Sequence, residues 1–171
     1  ADIVKVIHAV VEASRRLSAR QHGALIIMQR TDSLAQYAET GVQLHAQVTP
    51  ELLLQIFYPD TPLHDGGVII ADGKVAAAAC VMPLSASGIL TRNPERQMGL
   101  RHRAALGSSE VSDAVSVVVS EQSGSISIAH AGRMIRRIDP ERLENILVAF
   151  YQTDVSTPRK AWFQRFFRRN K

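Results

Sequence analysis

Apolar and polar positions along this chain change period several times, and each change marks an element. Ile3, Val6, Ile7, Val10, Val11 and Leu17 recur at three- and four-residue spacing, which predicts an amphipathic helix over 3–17. "ALIIM" (24–28) is an unbroken apolar run of strand length and reads as a buried strand. Val42, Leu44, Ala46 and Val48 alternate with polar neighbours and predict a second strand. Thr49-Pro50-Glu51 then supplies an N-cap, a proline for the first helical position and an acid for the helix dipole, so a helix runs through "ELLLQIF" and stops at Pro59. "GVIIA" (67–71), the turn Asp72-Gly73 and "KVAAAACVM" (74–82) make a β-hairpin pattern.

Residues 83–100 hold no sustained period and contain Pro83, Gly88, Pro94 and Gly99, the composition of a long loop. A helix follows over 101–110, then strands at 114–119, 125–130 and 133–137 joined by glycine-containing turns. Asp139-Pro140-Glu141 caps a last helix that reaches about Tyr151. Helices and strands mixed in this order fit an α/β or α+β sheet with helices packed on its faces. There is no internal repeat, low-complexity segment or linker, and 171 residues with 46% hydrophobic content suit one core.

Charge narrows the partners. The formal net charge is +4, but residues 159–171, "RKAWFQRFFRRNK", carry six of the 20 basic residues and no acid, which leaves 1–158 at −2. The body is therefore not a nucleic-acid surface. The tail, with Trp162, Phe163, Phe166 and Phe167 among its cations, suits an anionic membrane, another protein, or simply solvent. No run reaches the roughly 20 apolar residues that span a bilayer. The single Cys80 permits no internal disulfide, which fits a reducing compartment.

Two stretches carry candidate chemistry. "TPLHDGGVII" (61–70) places an acid and two glycines between a proline turn and a strand. A carboxylate on such a loop can bind a divalent metal, and glycines let phosphate or ribose approach the backbone; the alternative is an ordinary turn. Arg101-His102-Arg103 stands where a loop becomes a helix. Guanidiniums at a helix N-terminus oppose the dipole and are relieved by a bound anion, and Arg forks match phosphate oxygens; the alternative is a solvated basic helix start. Neither a Walker nor a Rossmann glycine pattern is present, and one Cys with six scattered His gives no zinc spacing.

Together these motifs resemble the diadenylate cyclase (DAC) domain family, which makes cyclic di-AMP from two ATP. "GALIIMQR", "ETGVQLHAQVTPELLLQIF", "AAAACVMPLS" and "GLRHRAALGSSEVSDAVSVVVSEQSGSISIA" are similar to this family in order, over roughly 18–130. The resemblance implies an α/β fold with a central mixed β-sheet flanked by helices, a catalytic domain over 1–158 and a basic aromatic tail over 159–171. The family's Asp-Gly-Ala and Arg-His-Arg motifs map onto Asp65-Gly66-Gly67 and Arg101-His102-Arg103. By resemblance, Asp65 binds a divalent metal, Mg²⁺ or Mn²⁺, and activates a 3′-hydroxyl, while Arg101, His102 and Arg103 meet the triphosphate. Thr61, Leu63, Ser85 and Leu100 are implied at the ATP site, Met82 beside adenine, and Glu121 as a second metal ligand.

Gly67 stands where the family usually has Ala, a change expected to add backbone freedom and block nothing. Leu100 replaces a usual Thr and removes a hydroxyl. The resemblance is greatest to the membrane-anchored type. It implies membrane helices ahead of this sequence, a location on the cytoplasmic face of a bacterial membrane, a homodimer for catalysis and a possible regulatory protein partner. Competing readings are a non-catalytic nucleotide-binding module and a metal-dependent phosphohydrolase built on His64-Asp65.

Overall fold

The computed structural model describes residues 2–86 and 99–152. In chain order it contains α1 (Ile3–Arg20), β1 (Ala24–Met28), α2 (Ala35–Ala38), β2 (Val42–Gln47), α3 (Pro50–Ile56), β3 (Gly67–Ala71), β4 (Lys74–Cys80), α4 (Leu100–Val111), β5 (Val115–Val119), β6 (Ile126–His130), β7 (Arg133–Ile138) and α5 (Pro140–Gln152). The seven strands form one sheet in the order β2-β4-β3-β1-β5-β6-β7. β1 pairs parallel with β3 and antiparallel with β5, so the sheet is mixed, as expected. Among the described residues no helix is long and apolar enough to cross a membrane. The tail over 159–171, and most of the predicted 83–100 loop, lie outside the described residues.

Period-two alternation divides the strands between two cores. Ala24, Ile26 and Met28 of β1, with Val115, Val117 and Val119 of β5, join one cluster with Val10, Leu17, Leu53, Leu143 and Phe150 from α1, α3 and α5. Leu25 and Ile27, with Val118, face the other way and join Ala104 and Ala105 of α4. Covering both faces explains why β1 and β5 are buried throughout and read as continuous apolar runs. Burial also pushes the Cys80 thiol up to about 11, so it is a packing residue rather than a nucleophile.

The expected caps form. Leu52 N–H donates to Thr49 Oγ1 at 3.1 Å, and Arg142 N–H donates to Asp139 Oδ1 at 2.8 Å. The alternating strand differs from expectation. β2 is an edge strand with Val42 exposed, it ends at Gln47, and its register with β4 shifts between Gln43 and Ala46, where His45 takes φ 49°.

Strand register gathers four loops at one end of the sheet. Gly67 pairs with Cys80, Ile26 with Val68, and Ala24 with Val119. The starts of β1 and β3 and the ends of β4 and β5 are therefore neighbours. The segments just beyond them are His22-Gly23, the Asp65-Gly66 loop, Val81-Met82 and the Glu121 turn.

Candidate active site

Two loop-building interactions set the acidic side of this end. Thr61 Oγ1 donates to the Tyr58 carbonyl, and the Thr61 carbonyl accepts from both the backbone N–H and the Nδ1–H of His64. With Nδ1 donating, a neutral His64 keeps its lone pair on Nε2, which lies 3.4 Å from Asp65 Oδ1. The two atoms stand close enough to ligate one cation together. Asp65 is 88% exposed at its side chain, so the carboxylate has no structural employment and is open to ligand. Among the expectations His64 has a role only in the competing phosphohydrolase reading; the structure sets its Nε2 beside the Asp65 carboxylate. Leu63 turns inward and packs on the larger core cluster.

Gly66 and Gly67 serve different needs. Gly66 takes φ +82°, and a Cβ there would stand 2.6 Å from the Cys80 carbonyl oxygen, so the loop lies on the β4 backbone. Gly67 opens β3, and a Cβ there would stand 2.5 Å from Ile27 Cδ1, 3.3 Å from Leu25 Cδ2 and 3.4 Å from Met82 Cγ. The expectation that the missing methyl merely adds freedom is corrected: Ile27 fills the space. Gly67→Ala is expected to lower stability by about 1 kcal/mol, and adding Ile27→Val should recover most of that, measured by urea unfolding. Met82, which the resemblance sets beside adenine, is 6% exposed and packs with Leu25 and Ile27.

The basic side comes from α4. Gly99 is its N-cap and provides no side-chain hydrogen bond, and Leu100 is exposed at the first position. Arg101 Nη2 lies 3.5 Å from the His64 carbonyl oxygen, and Nη1 lies 3.5 Å from Glu121 Oε2. One guanidinium thus touches the Asp65 loop and the β5–β6 turn. Glu121 is 67% exposed, so this pair is worth under about 1 kcal/mol and yields readily to a stronger anion. The Nε atoms of Arg101 and Arg103 are buried without a hydrogen-bond partner.

The structure does not bring all three motif residues to one surface. Arg101 and Arg103 diverge by about 200° around the helix, and His102 between them is 7% exposed. Burial, with the positive charges of Arg136 and Arg101, pushes the His102 imidazole down to about 4, so it is neutral near pH 7. A folded pKa below the unfolded value of about 6.5 means that the unfolded chain binds more protons in that window. Stability is therefore full above about pH 6.5 and falls as pH drops towards 4, by at most about 3 kcal/mol. His102→Gln should flatten that slope in urea melts at pH 7 and pH 4.5.

Ser85 is also turned inward. It is 2% exposed, its hydroxyl donates to Glu110 Oε2 at 3.1 Å, and its N–H donates to the Arg103 carbonyl at 3.0 Å. Gly107 permits this crossing, since a Cβ there would lie 2.0 Å from the Pro83 carbonyl oxygen. Ser85 thus ties the segment after β4 to α4. Among the described residues no group of three or more His, Cys, Asp or Glu side chains gathers as a metal site. Asp65 with His64 Nε2 nevertheless fits a cation whose other ligands come from substrate phosphate and water; the carboxylate suits Mg²⁺ or Mn²⁺, and the imidazole nitrogen favours the softer Mn²⁺.

An open carboxylate and an Arg-bearing helix start, at one end of a mixed sheet and beside an apolar wall, define a site of the nucleotide-handling class. The family profile described as "DisA bacterial checkpoint controller nucleotide-binding", abbreviated DAC, matches residues 11–134. The chain is 40% identical over 162 residues to cyclic di-AMP synthase CdaA of Bacillus subtilis, covering 94% of this chain and 58% of that protein. It is 42% identical over 143 residues to a diadenylate cyclase of Listeria monocytogenes, covering 84% and 51%. A crystal structure of DacA from Staphylococcus aureus, a double mutant, superposes with TM-score 0.81 at 41% identity, covering 89% of this chain and 98% of that one. The chain belongs to the DAC family, and it spans little more than half the length of these two curated relatives.

Proposed function

We propose that this domain condenses two ATP into cyclic di-AMP with release of two pyrophosphates, one ATP held per protomer in a face-to-face pair. The observation that carries the reading is the contact between the two motifs: Arg101 reaches the carbonyl of His64, so a fixed cation stands next to the open Asp65 carboxylate. Each 3′-oxygen attacks the α-phosphorus bound by the other protomer, a P–O bond forms as the bond to pyrophosphate breaks, and the hydroxyl proton passes by way of Asp65 to solvent. Arg101 offsets charge on the triphosphate, displacing its weak partner Glu121. Arg103 leaves α4 on another side, with its Nε buried, and neutral His102 between the two anchors the turn that carries Arg101. Met82, just past the end of β4, is the side chain this reading sets beside adenine.

Asp65 and His64 Nε2 are the residues that would hold Mg²⁺ or Mn²⁺, with Glu121 near enough to Arg101 to exchange partners when phosphate arrives. Such an ion neutralises phosphate charge and polarises the reacting phosphoryl group. In the wider reading the whole protein is membrane-anchored through segments outside these residues. One similar solved chain, at TM-score 0.70 and 43% identity, is described as a hypothetical membrane spanning protein from Bacillus cereus.

Incubation with ATP and each metal, with chromatography of the nucleotides, tests the reading. Cyclic di-AMP supports it; ADP or AMP alone indicates a phosphohydrolase, and bound but unconverted ATP a regulatory module. Stoichiometry has its own test. Excess Asp65→Asn protein mixed with wild type should suppress cyclic product and accumulate the linear dinucleotide, because a mixed pair completes at most one bond. Cyclic output equal to that of the wild-type fraction alone, with no linear species, would rule out the two-protomer arrangement.

A further inference from the structure

We propose that Gly23 is a positioning residue for this site: its missing side chain leaves the slot through which Arg101 reaches the rim, and so sets where that guanidinium meets phosphate. The proposal rests on the reading of Arg101 as a phosphate ligand. Gly23 immediately precedes β1, and its φ lies outside the left-handed region, so its conformation is open to any residue. What the position requires is space. A Cβ at Gly23 would stand 2.5 Å from Arg101 Nη1, 2.8 Å from Arg101 Cζ and 3.2 Å from Glu121 Cβ. Real Cβ contacts do not fall under 3.0 Å to such atoms without something shifting.

Three distant segments converge here for a reason visible in the sheet. Ala24 pairs with Val119, which sets Gly23 beside the start of the Glu121 turn, and Arg101 enters from α4 across that end. The two sides of the clash are unequal in stiffness. Gly23 is tied to β1, whose five residues are all buried in the middle of the sheet. Arg101 is a long side chain held at its tip by two 3.5 Å contacts, and its buried Nε makes no hydrogen bond. An added methyl group therefore displaces the guanidinium, not the strand. Displacement removes Arg101 from its contact with the His64 carbonyl, and with it the alignment of cation and Asp65 loop. Sequence reading gives no hint of this, because a glycine before a strand looks like loop punctuation.

The test is a cycle of Gly23→Ala, Arg101→Ala and the double variant, read in two ways. Without nucleotide, Gly23→Ala should lower the melting temperature when Arg101 is present and leave it unchanged in the Arg101→Ala background. With ATP, calorimetry should show each single variant binding about tenfold more weakly, the loss of a charge-assisted hydrogen bond, and the double variant binding no more weakly than Arg101→Ala. Equal melting effects in both backgrounds would overturn the slot. Wild-type ATP affinity in Gly23→Ala, or losses that simply add, would overturn the positioning role. Unchanged ATP affinity in Arg101→Ala would remove the phosphate role of Arg101 and this proposal with it, whereas cyclic product still formed by that variant would leave the proposed reaction standing.

Discussion

Asp65→Asn is expected to lower cyclic di-AMP formation by roughly 10³-fold while the melting temperature stays within about 2 °C of wild type. The two halves of that expectation have separate causes. The Asp65 side chain is 88% exposed and lies 3.4 Å from His64 Nε2, so the fold asks little of its charge. An amide of the same size keeps the loop shape. What it loses is the negative charge that draws a divalent ion between Asp65 and His64 Nε2, and the basic oxygen that accepts the hydroxyl proton. ATP affinity measured without metal should change little, since Arg101 stays in place. Turnover within a few-fold of wild type would remove Asp65 from the chemistry.

How much of the fold was legible in the sequence depends on the range of the forces involved. β1 was placed over 24–28 from its unbroken apolar run, and α3 and α5 from their Thr-Pro-Glu and Asp-Pro-Glu starts, because capping and local period are decided within a few residues. The short α2 helix is not legible in the sequence: Ala35–Ala38 is a single turn without a side-chain cap and shows no period. The alternation of β2 is legible in the sequence, but its exposure is not. Whether a strand is an edge depends on pairing with β4, which lies far along the chain.

The site divides in the same way. The acid–glycine loop and the Arg-His-Arg helix start are visible as motifs, and each suggests phosphate or metal chemistry. Which side of α4 each residue takes is not visible. A run of three basic or polar residues looks like one cluster, yet helical rotation sends His102 into the interior, where burial leaves it uncharged. Ser85 is implied at the ATP site only by the resemblance; the fold shows its hydroxyl donating to Glu110. Glycine is the least legible residue of all, because its role is what other residues occupy. Gly67 makes room for Ile27 and Gly23 for Arg101, and both partners are distant in sequence.

Gly66→Ala is expected to cost about 3 kcal/mol or more of stability and to abolish product formation even where the chain remains folded. Two independent penalties add. At φ +82° an L side chain lies in the left-handed region, which costs roughly 1–2 kcal/mol. The new Cβ would also meet main-chain atoms of β4, at 2.6 Å from the Cys80 oxygen, 3.0 Å from the Ala79 carbonyl carbon and 3.2 Å from the Ala79 Cα. These cannot rotate away as Ile27 can. Ala79 itself holds φ 54° in a strand whose register with β3 already shifts between Gly67 and Ile69, so this part of the hairpin has little slack. The loop must therefore lift off β4, carrying Asp65 away from Arg101. Comparison with Gly67→Ala separates steric rigidity from chemistry: the neighbouring methyl should cost about 1 kcal/mol and leave turnover largely intact, because its obstacle is the end of a side chain. Urea unfolding of both variants, with product assayed at saturating ATP, decides the matter. Equal losses at the two positions would mean that neither the left-handed backbone nor the β4 contact governs the loop.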